Sequence, residues 1–426
     1  MKHLLITLLL LSAAAYSQEA AHVQEPDAAH VEEQTGHANW PSLDELWNET
    51  KTGNDLKSWL VDGTPSAEIL LGYEYSDLKG NATDPAHAML TRTRLNYLTG
   101  QLHGFDAFVQ AQYVGPLNDH YSYPGRPNGY DPVSDPENFR FHQAYLAYTG
   151  YDSVGRLGSQ EILLDNQRLI GNVGWRLNGQ SFNAGSIQNE SVENLKLYYA
   201  YADSINDILG DTIQGRQYHL LNGEYKLGEK NKLAAFAYLQ RNDNSAANSK
   251  VDTYGARFWG ASDALGYEAM GALQRSAYYG LLKGDLKLES VNLGLGAEYI
   301  SGGGGDNNFQ TLNGTAHKFN GWADQFLGTG GGLNSGLVDL WGEGSVMVAE
   351  KLKLQGVAHF FNTAYNTPTT AFSGVYGYEL DFLAKYPVCE NFDVLAKLAY
   401  YIQGDNDPGN FTNDETVFWL RGTMRF

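Results

Sequence analysis

The chain has 426 residues, a formal net charge of −20 and one cysteine, Cys389. Such acidity excludes a phosphate-binding surface of clustered lysine and arginine, so nucleic acid is not an expected partner, and a lone cysteine excludes a disulfide framework. A mean hydropathy of −0.39 with 48 Gly and 28 Tyr is compatible with a barrel that needs apolar side chains on one face only.

Lys2 stands ahead of an apolar run, Leu4 to Leu11, from which small residues lead to Ala15-Tyr16-Ser17. That run is too short to span a bilayer as a helix and has the form of a signal peptide over residues 1–17, with the mature chain expected to begin near Gln18. No later stretch is apolar for about 18 residues, so no helical anchor is expected. Residues 18–65 carry ten acidic side chains against Lys51 and Lys57. His22, His30 and His37 are spaced through the imperfect repeat Ala21-His-Val-Gln-Glu25 and Ala29-His-Val-Glu-Glu33, which reads as an acidic periplasmic tail rather than a weak metal scavenger. Ser42, with Glu45 three residues on, has the capping pattern of a short helix reaching Leu60. Such a helix either sits in or under the barrel as a small plug or stays in the periplasm.

From residue 66 to 426 a period of two takes over. Ile69, Leu71, Tyr73 and Tyr75 alternate with Glu68, Gly72 and Glu74, and Val109 and Tyr113 alternate with Asp106, Gln110 and Gln112. The pattern recurs to the last strand, where Phe418, Leu420, Met424 and Phe426 share one face and Trp419, Arg421, Thr423 and Arg425 the other. Segments of roughly ten residues with this alternation cross a bilayer as tilted strands, and about eighteen of them fit the chain. Long connections, such as Gly115 to Asn138, Asn166 to Gly179 and Gly302 to Asn334, alternate with short ones near Gly100, Gly150, Gly228, Ser290, Ala349 and Glu390. The expected fold is therefore an all-β, transmembrane antiparallel barrel of about eighteen strands, with both termini in the periplasm of a Gram-negative bacterium and the barrel in its outer membrane. A soluble sandwich would leave the aromatic outer face in water.

Two segments carry more than alternation. Arg140-Phe-His-Gln-Ala-Tyr-Leu-Ala-Tyr148 leads to a run from Gly155 to Phe182 that contains Gly155-Arg-Leu-Gly-Ser-Gln-Glu161, Arg168-Leu-Ile-Gly171 and Trp175. His317-Lys-Phe-Asn-Gly-Trp-Ala-Asp-Gln-Phe326 is followed by Gly336-Leu-Val-Asp-Leu340. Together, in this order, they resemble the alginate export family of outer-membrane proteins. That resemblance implies an arginine-rich lumen conducting an anionic polysaccharide, with Arg140, Arg156, Arg168 and Trp175 at the matching positions. Ser159 stands where the family places an arginine.

The alternation itself turns Arg92 and Arg94 inward on the second strand and Arg421 and Arg425 inward on the last. The first strand lies between them and presents Glu68 and Glu74. Four arginines and two glutamates so placed form either a wall of ion pairs, in which the arginines are structural, or an anion ladder. Elsewhere the inward face mixes signs: Lys283, Asp285 and Lys287; Lys351, Lys353 and His359; Glu379, Asp381 and Lys385; Asp393 and Lys397. Trp322 and Asp324, in a loop flanked by glycine runs, have the makeup of an inward-folding gate. His142, His219 and His359 fall on separate strands without a nucleophile motif, so an enzyme is not expected. The residues thus point to a channel for polar, anionic saccharides that contacts outer-membrane lipid and needs no cofactor or metal. A general diffusion porin and a barrel lipid hydrolase are the alternatives, and a periplasmic partner is left open.

Overall fold

Successive side chains of a strand leave the sheet on opposite faces, and in this molecule the two faces meet different media. The computed structural model describes residues 55–426 except 124, 244–248, 327–332, 350, 366–373 and 406–411. The expected signal peptide, the histidine repeat and the Ser42 helix start lie outside the described residues. A short helix, α1 (Leu56–Val61), is capped reciprocally by Asp55 and Ser58, and none of its residues is buried. Trp59 Nε1 donates to Phe105 O at 3.0 Å and Tyr97 OH to Leu60 O at 2.5 Å, which fastens α1 beside a turn at the barrel mouth.

Eighteen strands come after α1: β1 (Thr64–Leu78), β2 (Ala86–Leu98), β3 (Phe105–Pro116), β4 (Asn138–Gly150), β5 (Ser153–Gln160), β6 (Ser181–Val192), β7 (Leu195–Asn206), β8 (Thr212–Leu227), β9 (Asn231–Asn242), β10 (Ser249–Ala261), β11 (Leu265–Gln274), β12 (Ala277–Leu288), β13 (Val291–Ile300), β14 (Leu337–Val348), β15 (Leu352–Asn362), β16 (Val375–Cys389), β17 (Phe392–Gln403) and β18 (Glu415–Arg425). Each pairs antiparallel with the next, and β18 closes on β1 with Glu68 opposite Arg425. Reciprocal backbone bonds of 3.0 and 2.9 Å between Ala67 and Phe426 complete the closure. The closed, even-numbered antiparallel barrel expected from the alternation is the fold observed. Lys351, expected inward, instead sits exposed in the turn before β15.

The outward face is an apolar belt: Leu157, Leu282 and Leu295 are 69%, 64% and 72% exposed. Tyr113, Tyr278, Tyr299, Tyr378 and Tyr400 ring it toward the loop ends of their strands, and Phe105, Tyr225, Phe258, Tyr386 and Phe426 ring it near the short turns. An exposed belt of this extent, edged by two aromatic girdles, belongs in lipid. The packed core is inside the barrel. Ile162, Leu169, Ile170 and Trp175 from the loop after β5, with Phe309, Trp322 and Phe326 from the loop after β13, meet inward aromatics including Phe182, Tyr218, Tyr279, Phe361, Tyr401 and Trp419.

Candidate channel constriction

Three long connections leave the same rim, residues 117–137 (L2), 161–180 (L3) and 301–336 (L7), and their described residues pack inward. L3 turns where β4 carries an irregularity. The register shift at Gln110 and Ala111 places Gln110 opposite Gln143 and Ala111 opposite Phe141, so the extra residue, His142, bulges. Consecutive residues His142 and Gln143 are consequently both buried. His142 Nε2 meets Glu161 Oε1 at 2.8 Å, and Glu161 N donates to Gln143 Oε1 at 3.1 Å, so the bulge anchors the start of L3. The far end returns through Gly179, whose φ of +64° favours glycine and where a Cβ would lie 3.2 Å from His142 Cε1. L3 and L7 then zip together: Gly171 N donates to Asn313 O at 3.1 Å, Thr315 N to Gln167 O at 2.8 Å, and Gln180 Nε2 to Asn313 O at 3.0 Å.

One wall of the constriction is basic. Arg425, Glu68, Arg94, Gln112 and Arg140 stand directly opposite one another across β18, β1, β2, β3 and β4. Arg92 pairs with Glu68 at 2.7 Å, and Arg425 reaches both Glu68 at 3.5 Å and Asp393 at 2.5 Å. Gln112 and Arg140 of this row, with Arg92 and Arg421 beside it, hold L3 by its carbonyls. Arg421 Nη1 donates to Trp175 O at 2.8 Å, Arg92 Nη1 to Leu177 O at 3.4 Å, Gln112 Nε2 to Asn178 O at 2.9 Å, and Arg140 Nη2 to Asn178 O at 2.6 Å and Gly179 O at 2.8 Å. Among the described residues, Arg94, Arg140 and Arg421 have no carboxylate at ion-pair distance.

The opposite wall is acidic, with Glu268, Glu298, Asp339, Glu379 and Asp381 all buried. L3 crosses to it. Arg168 makes a two-pronged contact with Glu298 at 2.7 and 2.9 Å, and Asn166 Nδ2 donates to Glu268 at 2.7 Å. L7 does the same through Asn320, which donates to Glu298 at 2.5 Å and Asp339 at 3.2 Å, and through Ala323 N, which donates to Glu379 at 2.7 Å.

Between the walls lies a joint of L2, L3, L7, β17 and β18. Arg176 bonds Glu74 at 3.0 Å and Asp324 at 3.3 Å, with Asp135 of L2 at 3.6 Å. Burial acts to lower the Arg176 guanidinium, and Glu74, Asp135 and Asp324 outweigh it and raise it, so it stays charged. Burial pushes the Asp324 carboxyl up to about 6, against the pull of Arg176 and Lys397. Trp175 stacks on His317 with centroids 4.5 Å apart and planes within 6°, and Arg421 Cζ lies 3.7 Å from the Trp175 centroid.

The structure brings Arg92, Arg94, Arg140, Arg168, Trp175, Trp322, Asp324 and Arg421 to this constriction. Arg425 ends the same row, ion-paired with Glu68 and Asp393. Arg156 is remote, packed over Tyr145 at 5.5 Å toward the turn end of β5. Arg176 and His317 lie inside the same two motifs, yet nothing in the sequence marks them; loop residues have no period to betray which way they point. His142, His219 and His359 bond Glu161, Tyr199 and Asp339 respectively, and among the described residues none of these rings bonds a serine.

A closed barrel with a lipid-facing belt and a polar lumen narrowed by its own loops is an outer-membrane β-barrel protein. No protein-family model matches the chain, and no curated protein matches it in sequence. In fold it is similar to Acinetobacter baumannii OccAB1 (11% identity, 87% of this chain and 98% of that one, TM-score 0.64). It is likewise similar to Pseudomonas aeruginosa OpdK solved with vanillate (12%, 86% and 99%, TM-score 0.65) and to Pseudomonas aeruginosa OccK11 (13%, 88% and 98%, TM-score 0.63). These neighbours are Occ and Opd substrate-specific outer-membrane channels, not alginate export proteins, which overturns the resemblance drawn from the two motifs. The physical reason is visible in the loops. Arg168 is engaged by Glu298 and Trp175 by His317, so the motifs encode loops that fold inward, a property of the barrel rather than of a polysaccharide.

Proposed function

We propose that the chain is a passive outer-membrane channel for small polar solutes that bear a carboxylate, with its termini and short turns on the periplasmic side. The observation that carries this reading is the set of three guanidiniums, Arg94, Arg140 and Arg421, left without carboxylate partners on one wall while acids line the other. Charges of opposite sign across a narrow, low-dielectric passage set up a transverse field that orients a small polar solute and admits an anionic group along the basic side. The vanillate in the OpdK structure is a carboxylate of the expected size and supports the same reading. A polymer fits less well, because Trp175, His317 and Trp322 of the inward loops are packed within the barrel at 2%, 3% and 5% exposure.

Arg94 is the side chain to test, since it donates to Gln112 at 2.7 Å and not to the L3 backbone. In planar bilayers under a salt gradient, the reversal potential should show anion preference in the wild type. Arg94→Gln should reduce that preference by about twofold, the scale of one partly screened charge near a pore. Benzoate or vanillate flux into liposomes should exceed that of a neutral sugar of similar size. Equal fluxes and an unselective reversal potential would leave a general diffusion porin instead.

A further inference from the structure

The constriction contains an ammonium that the transport reading does not use. Lys397, on β17, is 1% exposed. Its Nζ lies 3.7 Å from the ring centroid of Trp322 in L7, 4.1 Å from that of Trp175 in L3 and 5.7 Å from that of Trp419 on β18. It is also 2.9 Å from His317 Nε2. An ammonium has only donors, so His317 Nε2 accepts and the ring's proton is on Nδ1, which donates to Asp324 Oδ1 at 2.9 Å. Indole faces and the His317 ring thus surround the ammonium, with Asp324 behind the imidazole. The cage has a particular mechanical layout. Its rings come from both inward loops, while the cation and the third indole come from the wall. The zipped pair of loops is thus fastened to β17 and β18 at the point where it crosses the passage.

We propose that Lys397 is the latch of the constriction: its ammonium, caged by Trp175, Trp322 and His317, holds L3 and L7 across the lumen, and its withdrawal widens the passage. This deepens the channel reading by naming how the same site is held closed. Of the other ties to the two loops, Arg421 to the Trp175 carbonyl and Glu379 to the Ala323 amide grip backbone, while Glu74 to Arg176 and Glu415 to Gln325 each hold one loop by a side chain. Lys397 grips the faces of side chains and, with Trp419 beside it touching Trp175 and His317, engages both loops at once, as Glu298 does on the acidic wall through Arg168 and Asn320.

The test uses the full chain in planar bilayers. Lys397→Met keeps the length of the side chain without its charge, and its single-channel conductance should rise at least twofold over wild type. Lys397→Ala should rise similarly and fall back toward wild type when tens of millimolar propylammonium chloride is added, because the amine refills the cage; the same concentration of propanol should leave it unchanged. Wild-type conductance in Lys397→Met overturns the latch. Raised conductance in Lys397→Ala that propylammonium does not reverse overturns it too, since loss of packing then suffices. Should either lysine variant fail to insert, Trp322→Leu removes one face of the cage with the lysine in place and is held to the same twofold criterion. Reversal potentials from the same recordings report anion preference separately, so the latch and the carboxylate reading fail independently.

Discussion

At the scale of single residues, the constriction is held by buried charges whose partners were only partly legible in the sequence. Glu68, Arg92 and Arg425 form the ion-paired wall expected from alternation, yet Glu74, expected to join it, turns to Arg176 of L3 instead. Arg168, expected with the lumenal cations, spans to the acidic wall. Both departures involve a loop residue, whose direction no strand period predicts. Breaking the Arg168–Glu298 contact by Glu298→Ala strands a guanidinium that is itself 2% exposed, and should cost about 3–5 kcal/mol in urea unfolding of the refolded barrel. Asp324 supplies a pH signature. Its folded carboxyl titrates at about 6 against an ordinary 3.8, so its contribution is fully present below the lower value and is lost as pH rises through the upper one. The stability of wild type relative to Asp324→Asn should therefore fall by up to about 3 kcal/mol between pH 4 and pH 7 and stay flat above. A gap that is constant over that range would show that Asp324 is not buried as described.

At the scale of elements, the strands were readable and the loops that matter were not. Each strand separates lipid from a polar interior, so the pleat writes a period of two into the sequence, and the expected strand count and closure come from it. L3 and L7 have no such constraint. What marks them is glycine at close approaches: a Cβ on Gly171 would meet Thr315 Oγ1 at 2.3 Å, and one on Gly179 would press on His142. Gly171→Ala should separate the loops where they cross and leave the barrel intact. The expected result is noisier, larger single-channel current with unchanged strand content by circular dichroism. The bulge at His142 was hidden for a similar reason, since an extra residue in one strand is visible only when its partner's register is known.

At the scale of the whole molecule, a net charge of −20 conceals a lumen divided into basic and acidic sectors. The basic sector spans β18, β1, β2 and β4, and the acidic one β11, β13, β14 and β16. Selectivity belongs to this division rather than to the sum, so adding acidic residues to the rim should shift the reversal potential less than Arg94→Gln does. The rim is uneven as well. Arg275 and Ser276 alone join β11 to β12, beside L7, whose Asp306 pairs with Arg275.

The ties from L3 also bear on how the barrel is made. Arg176 reaches Glu74 on β1, and the Trp175 carbonyl receives Arg421 from β18, so adjacent residues of one loop grip both strands of the closing seam from within. Those strands are the first and last to be synthesised, and their pairing has the greatest sequence separation in the chain, which makes it the slowest contact to find. Docking of L3 therefore adds contacts to both strands of the seam from within the cylinder. Glu74→Gln should slow the last phase of refolding into lipid vesicles while leaving earlier strand formation unaffected. The element that narrows the lumen is thus also an internal staple across the closing seam.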